Sequence, residues 1–148
     1  MAAEGATFGV LNRRVGVPLV DLGTVRLPRV VGHGRAMDLI LTGRVVGAAE
    51  ALAIGLVNRV VPDGQALAAA VGLARELAAL PQTALRNDRL SVIEQWGLPE
   101  PEAAANELRR GLDTLASGEA AAGAAGFAAG QGRHGGAIPR NREPETRQ

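Results

Sequence analysis

The sequence has 148 residues, of which 47% are hydrophobic and 21% are charged, and its formal net charge at pH 7 is +1. This length allows one ordinary hydrophobic core, and the composition is typical of globular chains rather than disordered ones. All positively charged side chains are Arg, and the sequence contains no Lys, Tyr or Cys. A Schiff-base lysine, a thiolate nucleophile, a phenolic acid and disulfide bonds are therefore excluded.

The composition also restricts the partners of the chain. Aromatic residues are only Phe8, Trp96 and Phe127, and the Arg residues are scattered, so neither a base-stacking platform nor a basic patch is indicated. The amino-terminal residues lack a signal-peptide pattern, and no apolar run reaches the roughly 18 residues of a membrane span. We expect a cytoplasmic protein without nucleic-acid, membrane or metal partners.

The first third of the chain predicts short elements. Residues 5–32 contain turn formers and short apolar runs, which predicts a loop-rich segment with short strands. Helical spacing over Gly34–Leu41, followed by Thr42-Gly43, predicts a helix that ends at a glycine. A second short helix over residues 48–54 and a strand over residues 57–61 follow.

The sequence after Pro62 predicts long Ala-rich helices. Asp63 is a candidate N-cap for a helix that ends before Pro81, and amphipathic helices are predicted over residues 81–96 and 99–116. The Ala- and Gly-rich run from Glu119 to Ala129 is helical only if another element packs on it. The few short strands are too few for a sheet covered on both faces, so part of the fold is expected upstream.

Several motifs occur in a fixed order over residues 6–62. They are Ala6-Thr7-Phe8-Gly9, Gly23-Thr24-Val25-Arg26-Leu27-Pro28-Arg29, Leu41-Thr42-Gly43 and Gly55-Leu56-Val57-Asn58. In this order the motifs resemble the enoyl-CoA hydratase/isomerase (crotonase) superfamily. The Ala-rich helices beyond Pro62 resemble the C-terminal trimerisation region of that superfamily in helical character and length.

The resemblance implies a truncated α/β crotonase-like fold, equivalent to the C-terminal half of a subunit. Residues 1–62 are then a short strand, loop and helix remnant of the spiral core, residues 63–130 a mostly α-helical oligomerisation region, and residues 131–148 a flexible tail. The family segment that donates the oxyanion-hole N–H groups comes before the matched residues.

The resemblance also suggests catalytic residues. Crotonase chemistry polarises a thioester carbonyl with two backbone N–H groups and moves protons with one or two carboxylates. The position where hydratases carry a carboxylate is Asn12, which does not act as a base at neutral pH. Asp21 is the remaining candidate acid or base, because some isomerase-like members carry an aspartate near this position; the alternative is a turn or helix-capping residue.

Four residues are candidates for substrate binding. Arg13 lies beside Asn12 and is placed to reach an acyl or phosphate group, although adjacent Arg residues usually face water. Val17 and Leu19 belong to the loop of Asp21, and Arg133 corresponds to basic residues that contact coenzyme A phosphates in a neighbouring subunit. The alternative for Arg133 is a solvated tail.

The resemblance thus implies an enoyl-CoA hydratase/isomerase-like enzyme that acts on acyl-CoA thioesters. Coenzyme A is part of the substrate, so no separate cofactor is expected. The apolar stripes Leu67–Leu77 and Leu108–Leu115, together with Trp96, are predicted packing surfaces that favour a trimer or hexamer. The alternative function is a non-catalytic truncated homologue that acts as an oligomerisation or interaction module.

Overall fold

The computed structural model of the protein describes residues 1–131. The chain divides into two compact units, Met1–Leu73 and the part that begins at Ala74. In the described part, helices predominate and each of the strands has two or three residues. The predicted tail over residues 131–148 lies almost entirely outside the described residues.

The first unit combines two small sheets with short helices. Its strands are β1 (Ala2–Ala3), β2 (Thr7–Gly9), β3 (Val45–Gly47) and β4 (Val60–Val61), and its helices are α1 (Gly23–Val31), α2 (His33–Thr42) and α3 (Ala48–Ala53). A 3₁₀ helix covers Leu11–Val15. Strands β1 and β4 pair in parallel, whereas β2 and β3 pair antiparallel with Phe8 opposite Val46.

The hydrophobic core lies within the first unit. Its buried residues are Ala2, Val31, Ala36, Leu39, Ile40, Val46, Ala48, Ala51, Ile54 and Val57. A second set of hydrophobic residues packs on this core but stays partly exposed: Ala6, Phe8, Val10, Leu19, Leu27, Leu56 and Val60. The core is therefore built from small and branched aliphatic side chains, as expected from the scarcity of aromatic residues.

The predicted helices around residues 34–54 are confirmed. Helix α2 ends at Gly43, which adopts a left-handed conformation and donates its N–H to the Leu39 carbonyl. This arrangement satisfies one of the carbonyl groups that a helix end leaves without an intrahelical donor. Gly55, which follows the C-cap residue Ile54 of α3, also has a positive φ of 78°.

Helix α1 corrects the prediction of a loop with short strands over residues 5–32. Pro28 lies inside this helix, and Leu22 precedes its first residue without a side-chain cap. Both features disfavour a helix in the local sequence. The helix forms because Leu27 and Val31 pack against the core, so tertiary packing outweighs the local preference.

Asp63 is not the N-cap of the following helix, α4, which begins three residues later and covers Ala66–Ala78. Its carboxylate instead accepts a 2.9 Å hydrogen bond from the Gly5 N–H. The side chain thus joins the turn after β1 to the end of β4, because the parallel pairing of these strands brings residues 5 and 63 together.

The second unit contains α5 (Gln82–Glu94), a 3₁₀ turn (Gln95–Gly97), α6 (Glu100–Ala116) and α7 (Glu119–Ala128). These elements confirm the predicted helices. Glu94 on α5 forms an ion pair with Arg110 on α6, and Arg110 also donates to Asn87 at 3.3 Å. Within the described residues of α5, α6 and α7, no side chain is buried.

Helix α7 supports the beginning of α5. The Glu119 carboxylate accepts 2.9 Å hydrogen bonds from the N–H groups of Thr83 and Ala84, which lie in the first turn of α5. These contacts hold the pKa of Glu119 below its ordinary value, because backbone N–H donors favour the ionised carboxylate. The Gly-containing run is therefore helical in contact with other helices, as its sequence requires.

Candidate functional site

The loop that carries Asp21 follows the 3₁₀ helix. Gly16 ends that helix in a left-handed conformation with φ of 71°, which glycine adopts at little cost. The Val17 N–H donates to the Asn12 carbonyl at 3.1 Å and closes the turn. Residues 17–22 then continue without regular structure to the start of α1.

The side chains of Asp21 and Leu19 both lie close to Gly23. A Cβ atom placed on Gly23 would lie 3.3 Å from Leu19 Cδ2 and 3.4 Å from Asp21 Oδ1. Asp21 is exposed. The helix-capping alternative is wrong, because Leu22 is the N-cap of α1 and no side chain caps this helix. The turn alternative stays open, because Asp21 lies in a bend before α1. Within the described residues, the Asp21 carboxylate is left without a hydrogen-bond donor.

A small apolar cavity adjoins this carboxylate. Its volume is about 280 Å³, and its lining residues are Val10, Leu19, Gly23, Arg26, Leu27 and Val30. Asp21 itself is not part of the lining, but its carboxylate lies next to Leu19 and Gly23, which both are. The predicted acid or base therefore lies at the rim of an apolar cleft rather than away from every cavity.

A second cavity adjoins the first at Val10 and Leu27. Its volume is about 410 Å³, and it is lined by Thr7, Phe8, Gly9, Val10, Leu27, Leu39, Val46 and Leu56. Strand β2 contributes all three of its residues to this lining. Val10 and Leu27 line both cavities, so the two cavities are neighbours.

Leu22 is a feature of the site that the sequence did not indicate. Its φ of 68° is the only positive φ among the described non-glycine residues. This left-handed conformation costs an L-residue about 1 to 2 kcal/mol because Cβ approaches the following carbonyl oxygen. A leucine gives no local signal for such a conformation, which glycine or asparagine would have indicated.

The other predicted site residues have different surroundings. Asn12 is half-buried in the 3₁₀ helix, whereas Arg13 and Val17 are exposed. None of these three lines either of the two cavities, but Leu19 does. Arg133 lies outside the described residues. The sequence also did not single out Arg26, which is the charged residue of the smaller cavity.

An ion-pair network fixes the turn between α2 and β3. Arg44 donates to Asp38 at 2.6 Å and to both Glu50 carboxylate oxygens, at 3.0 and 2.5 Å. Its guanidinium holds the pKa of Glu50 below its ordinary value, and the two carboxylates raise the pKa of Arg44. The network joins α2 to α3 and thereby supports the strand β3 that forms one wall of the larger cavity.

The described residues indicate neither a metal site nor a membrane-spanning helix. Residues 1–131 contain no cluster of three or more His, Cys, Asp or Glu side chains suited to a metal ion. Over the same part of the chain, no helix combines the length and the apolar character that crossing a membrane requires. Of the two cavities in the first unit, the smaller one combines an apolar lining with a neighbouring carboxylate that has no hydrogen-bond donor within the described residues.

Comparison with known proteins identifies the family. The family model for enoyl-CoA hydratase/isomerase matches residues 1–130. The chain belongs to the enoyl-CoA hydratase/isomerase family. No curated protein sequence matches this family member.

Solved structures of the family support a truncated crotonase-like fold. A Mycobacterium abscessus protein described as an enoyl-CoA hydratase/isomerase has 33% identity and a TM-score of 0.82, with 93% of this chain and 56% of that chain covered. An enoyl-CoA hydratase from Mycobacterium tuberculosis has 30% identity and a TM-score of 0.80, with 86% of this chain and 50% of that one covered. The enoyl-CoA hydratase of Geobacillus kaustophilus has 32% identity and a TM-score of 0.81, with coverages of 87% and 49%.

This family member therefore spans about half the length of the solved structures that it matches. The match extends over both units, because the family model reaches residue 130. The predicted family and the mostly helical, truncated fold are thus confirmed.

Proposed function

We propose that this chain takes part in proton transfer on acyl-CoA thioesters and that Asp21 is the group that accepts and returns the proton. The observation that carries the proposal is the position of the Asp21 carboxylate at the rim of the apolar cavity, without a hydrogen-bond donor of its own in the described residues. A carboxylate in this position is available to a substrate whose acyl chain enters the cavity. Family membership supplies the class of substrate.

A shift of the double bond is the reaction that these residues support best. In such a shift, one base removes a proton from the carbon beside the thioester carbonyl, the negative charge moves to the carbonyl oxygen as an enolate, and the same proton is returned two carbons further along. One carboxylate is sufficient for both transfers. Hydration by a pair of carboxylates is disfavoured here, because Asn12 occupies the position of the hydratase carboxylate.

The other candidate residues are assigned roles under the same proposal. Leu19 contacts the acyl chain, since it lines the cavity beside Asp21. Val17 and Arg13 are proposed to contact more distant parts of the substrate, and Arg133 the coenzyme A phosphates. The amides that stabilise the enolate oxygen come from a family segment that precedes the matched residues, so the active assembly requires that segment.

A turnover assay with matched variants tests this function. We expect Asp21→Asn to reduce the rate of double-bond shift of a 3-enoyl-CoA by at least about 10²-fold, the usual contribution of a positioned acid or base. Asp113→Asn, which changes another exposed aspartate in α6, should leave the rate unchanged. Equal rates for the wild type and Asp21→Asn would contradict the role of Asp21.

The second candidate function is a non-catalytic oligomerisation module. It is favoured by the exposed stripe on α6, in which Leu108, Leu112 and Leu115 are 64%, 54% and 62% exposed. This hypothesis expects trimers or larger species by sedimentation, no turnover, and coenzyme A affinity weaker than about 1 mM. Turnover that depends on Asp21 would exclude it.

A further inference from the structure

The strained residue Leu22 directly follows Asp21, the proposed acid or base. Its backbone is left-handed, with φ of 68° and ψ of 14°. Among the described residues it is the only one other than glycine with a positive φ. Strained conformations of this kind persist where the surrounding structure enforces them, and they are concentrated at functional sites. The place of the strain next to Asp21 therefore calls for a physical reason.

Neither helix capping nor burial accounts for the conformation of Leu22. Leu22 is the N-cap of α1, but N-cap residues usually have an extended backbone and a side-chain oxygen that accepts a helix N–H. Leucine has no such oxygen, and no side chain caps this helix. The Leu22 side chain is 51% exposed and is not among the residues that pack on the core. The left-handed conformation thus brings no capping hydrogen bond and little burial.

The backbone is fixed on the helix side of Leu22. The Leu22 carbonyl oxygen accepts hydrogen bonds from the N–H groups of Val25 and Arg26, at 3.1 and 2.8 Å. Helix α1 in turn packs on the hydrophobic core. Because the peptide after Leu22 is held in this way, rotation about the N–Cα bond of Leu22 would move the preceding residues. The φ angle of Leu22 therefore sets the direction in which Asp21 leaves the helix.

The left-handed φ places the Asp21 carboxylate beside Gly23, where the Leu19 side chain also lies. An ordinary helical φ would differ by a rotation of about 130°. A group about 4 Å from the rotating bond moves by about 7 Å in such a rotation. Since misplacement of a reacting group by about 1 Å can cost about 10²-fold in rate, the conformation of Leu22 matters to any proton transfer by Asp21.

We propose that Leu22 is a positioning residue for Asp21, because its left-handed backbone holds the carboxylate beside Gly23 at the rim of the smaller cavity. The inference rests on the proposed function and adds a backbone requirement to it. At position 22 the reaction depends on the conformation of the residue and not on its apolar side chain. Leu22 acts only through Asp21.

Two substitutions at this position separate conformation from apolar character. Leu22→Ile keeps the atoms and the apolar character of leucine, but a β-branched residue strongly disfavours a positive φ. Leu22→Asn loses the apolar character, but asparagine tolerates the left-handed conformation. Leu52→Ile is the matched control, because Leu52 is 44% exposed and lies in the ordinary helix α3.

Nuclear Overhauser effects of the full chain test the position of Asp21 without any turnover. The contacts followed are those from the Gly23 Hα atoms to the Leu19 methyl groups and to the Asp21 Hβ atoms, which both depend steeply on distance. We expect Leu22→Ile to lose the contact with Asp21 and to keep the contact with Leu19. Leu22→Asn and Leu52→Ile should keep both contacts.

Steady-state kinetics with a 3-enoyl-CoA test the consequence for the reaction. We expect Leu22→Ile to lower kcat by at least about tenfold and to change KM by less than about twofold, as for an interaction needed only in the transition state. Leu22→Asn should restore kcat to within about threefold of the wild-type value, and Leu52→Ile should leave it unchanged. Circular dichroism establishes that each variant is folded.

Two results would overturn the proposal. The first is a Leu22→Ile variant that keeps the contact between Gly23 and Asp21, and the second is a Leu22→Asn variant that lowers kcat by tenfold or more. If Leu22→Ile does not fold, the result for Leu22→Asn decides. Equal rates for the wild type and Asp21→Asn would instead refute the proposed function, and the Overhauser contacts would still decide whether Leu22 holds Asp21 in place.

Discussion

The left-handed conformation of Leu22 predicts an unusual order of stability for two substitutions at this position. Glycine normally destabilises a folded chain relative to alanine, because it loses more backbone entropy on folding. At position 22, with φ of 68° and ψ of 14°, alanine keeps the Cβ atom that makes this conformation unfavourable. We therefore expect Leu22→Gly to be more stable than Leu22→Ala.

The magnitude follows from three contributions. Both substitutions remove the outer carbon atoms of Leu22, so the loss of apolar contact largely cancels in the comparison. Release of the left-handed strain favours glycine by about 1 to 2 kcal/mol, and the entropy of the unfolded chain favours alanine by about 0.5 to 1 kcal/mol. The free energy of unfolding should thus be about 0.5 to 1 kcal/mol larger for Leu22→Gly.

A helical position of similar exposure provides the control. Val25 lies inside α1 and is 43% exposed, compared with 51% for Leu22. At Val25 the ordinary order should hold, with the alanine variant about 1 kcal/mol more stable than the glycine variant. Urea unfolding of the four variants, followed by circular dichroism, measures both differences. Alanine exceeding glycine at position 22 by the same margin as at position 25 would refute the strain argument.

Two further predictions concern a helix contact and a helix end. Glu119 has a lowered pKa in the folded state, so its contribution to stability is present above the ordinary carboxyl pKa and is lost as the pH falls through the lowered value. Glu119→Gln should therefore reduce the melting temperature at pH 7, and this reduction should become progressively smaller as the pH falls below the ordinary carboxyl pKa. A reduction that does not change with pH would contradict this. Gly43→Ala should destabilise the chain by more than about 1 to 2 kcal/mol, because the new Cβ atom at φ of 60° would also lie 3.3 Å from the Val10 carbonyl oxygen. Gly64→Ala, at φ of 79° in open space, should carry only the conformational cost, and equal urea midpoints for the two variants would show that the contact with Val10 is unimportant.

The sequence determined the family and most of the helices. The ordered motifs over residues 6–62 indicated the family, since each motif records a local requirement such as the glycine that ends α2. Apolar periodicity and flanking prolines located α5 and α6, because each of these helices has one apolar stripe and begins directly after a proline. The position of Asp21 among the motifs made it a candidate acid or base, which stays a prediction.

Tertiary packing determined the features of the fold that local residue preferences do not indicate. Helix α1 forms in spite of Pro28 because Leu27 and Val31 pack against the core, and Asp63 pairs with Gly5 because a parallel strand pair brings distant residues together. The larger cavity likewise forms between segments far apart in the chain, because its lining extends from Thr7 on β2 to Leu56 after α3. Such contacts depend on which residues lie close together in the folded chain. The local pattern of residue types does not show which distant segments meet.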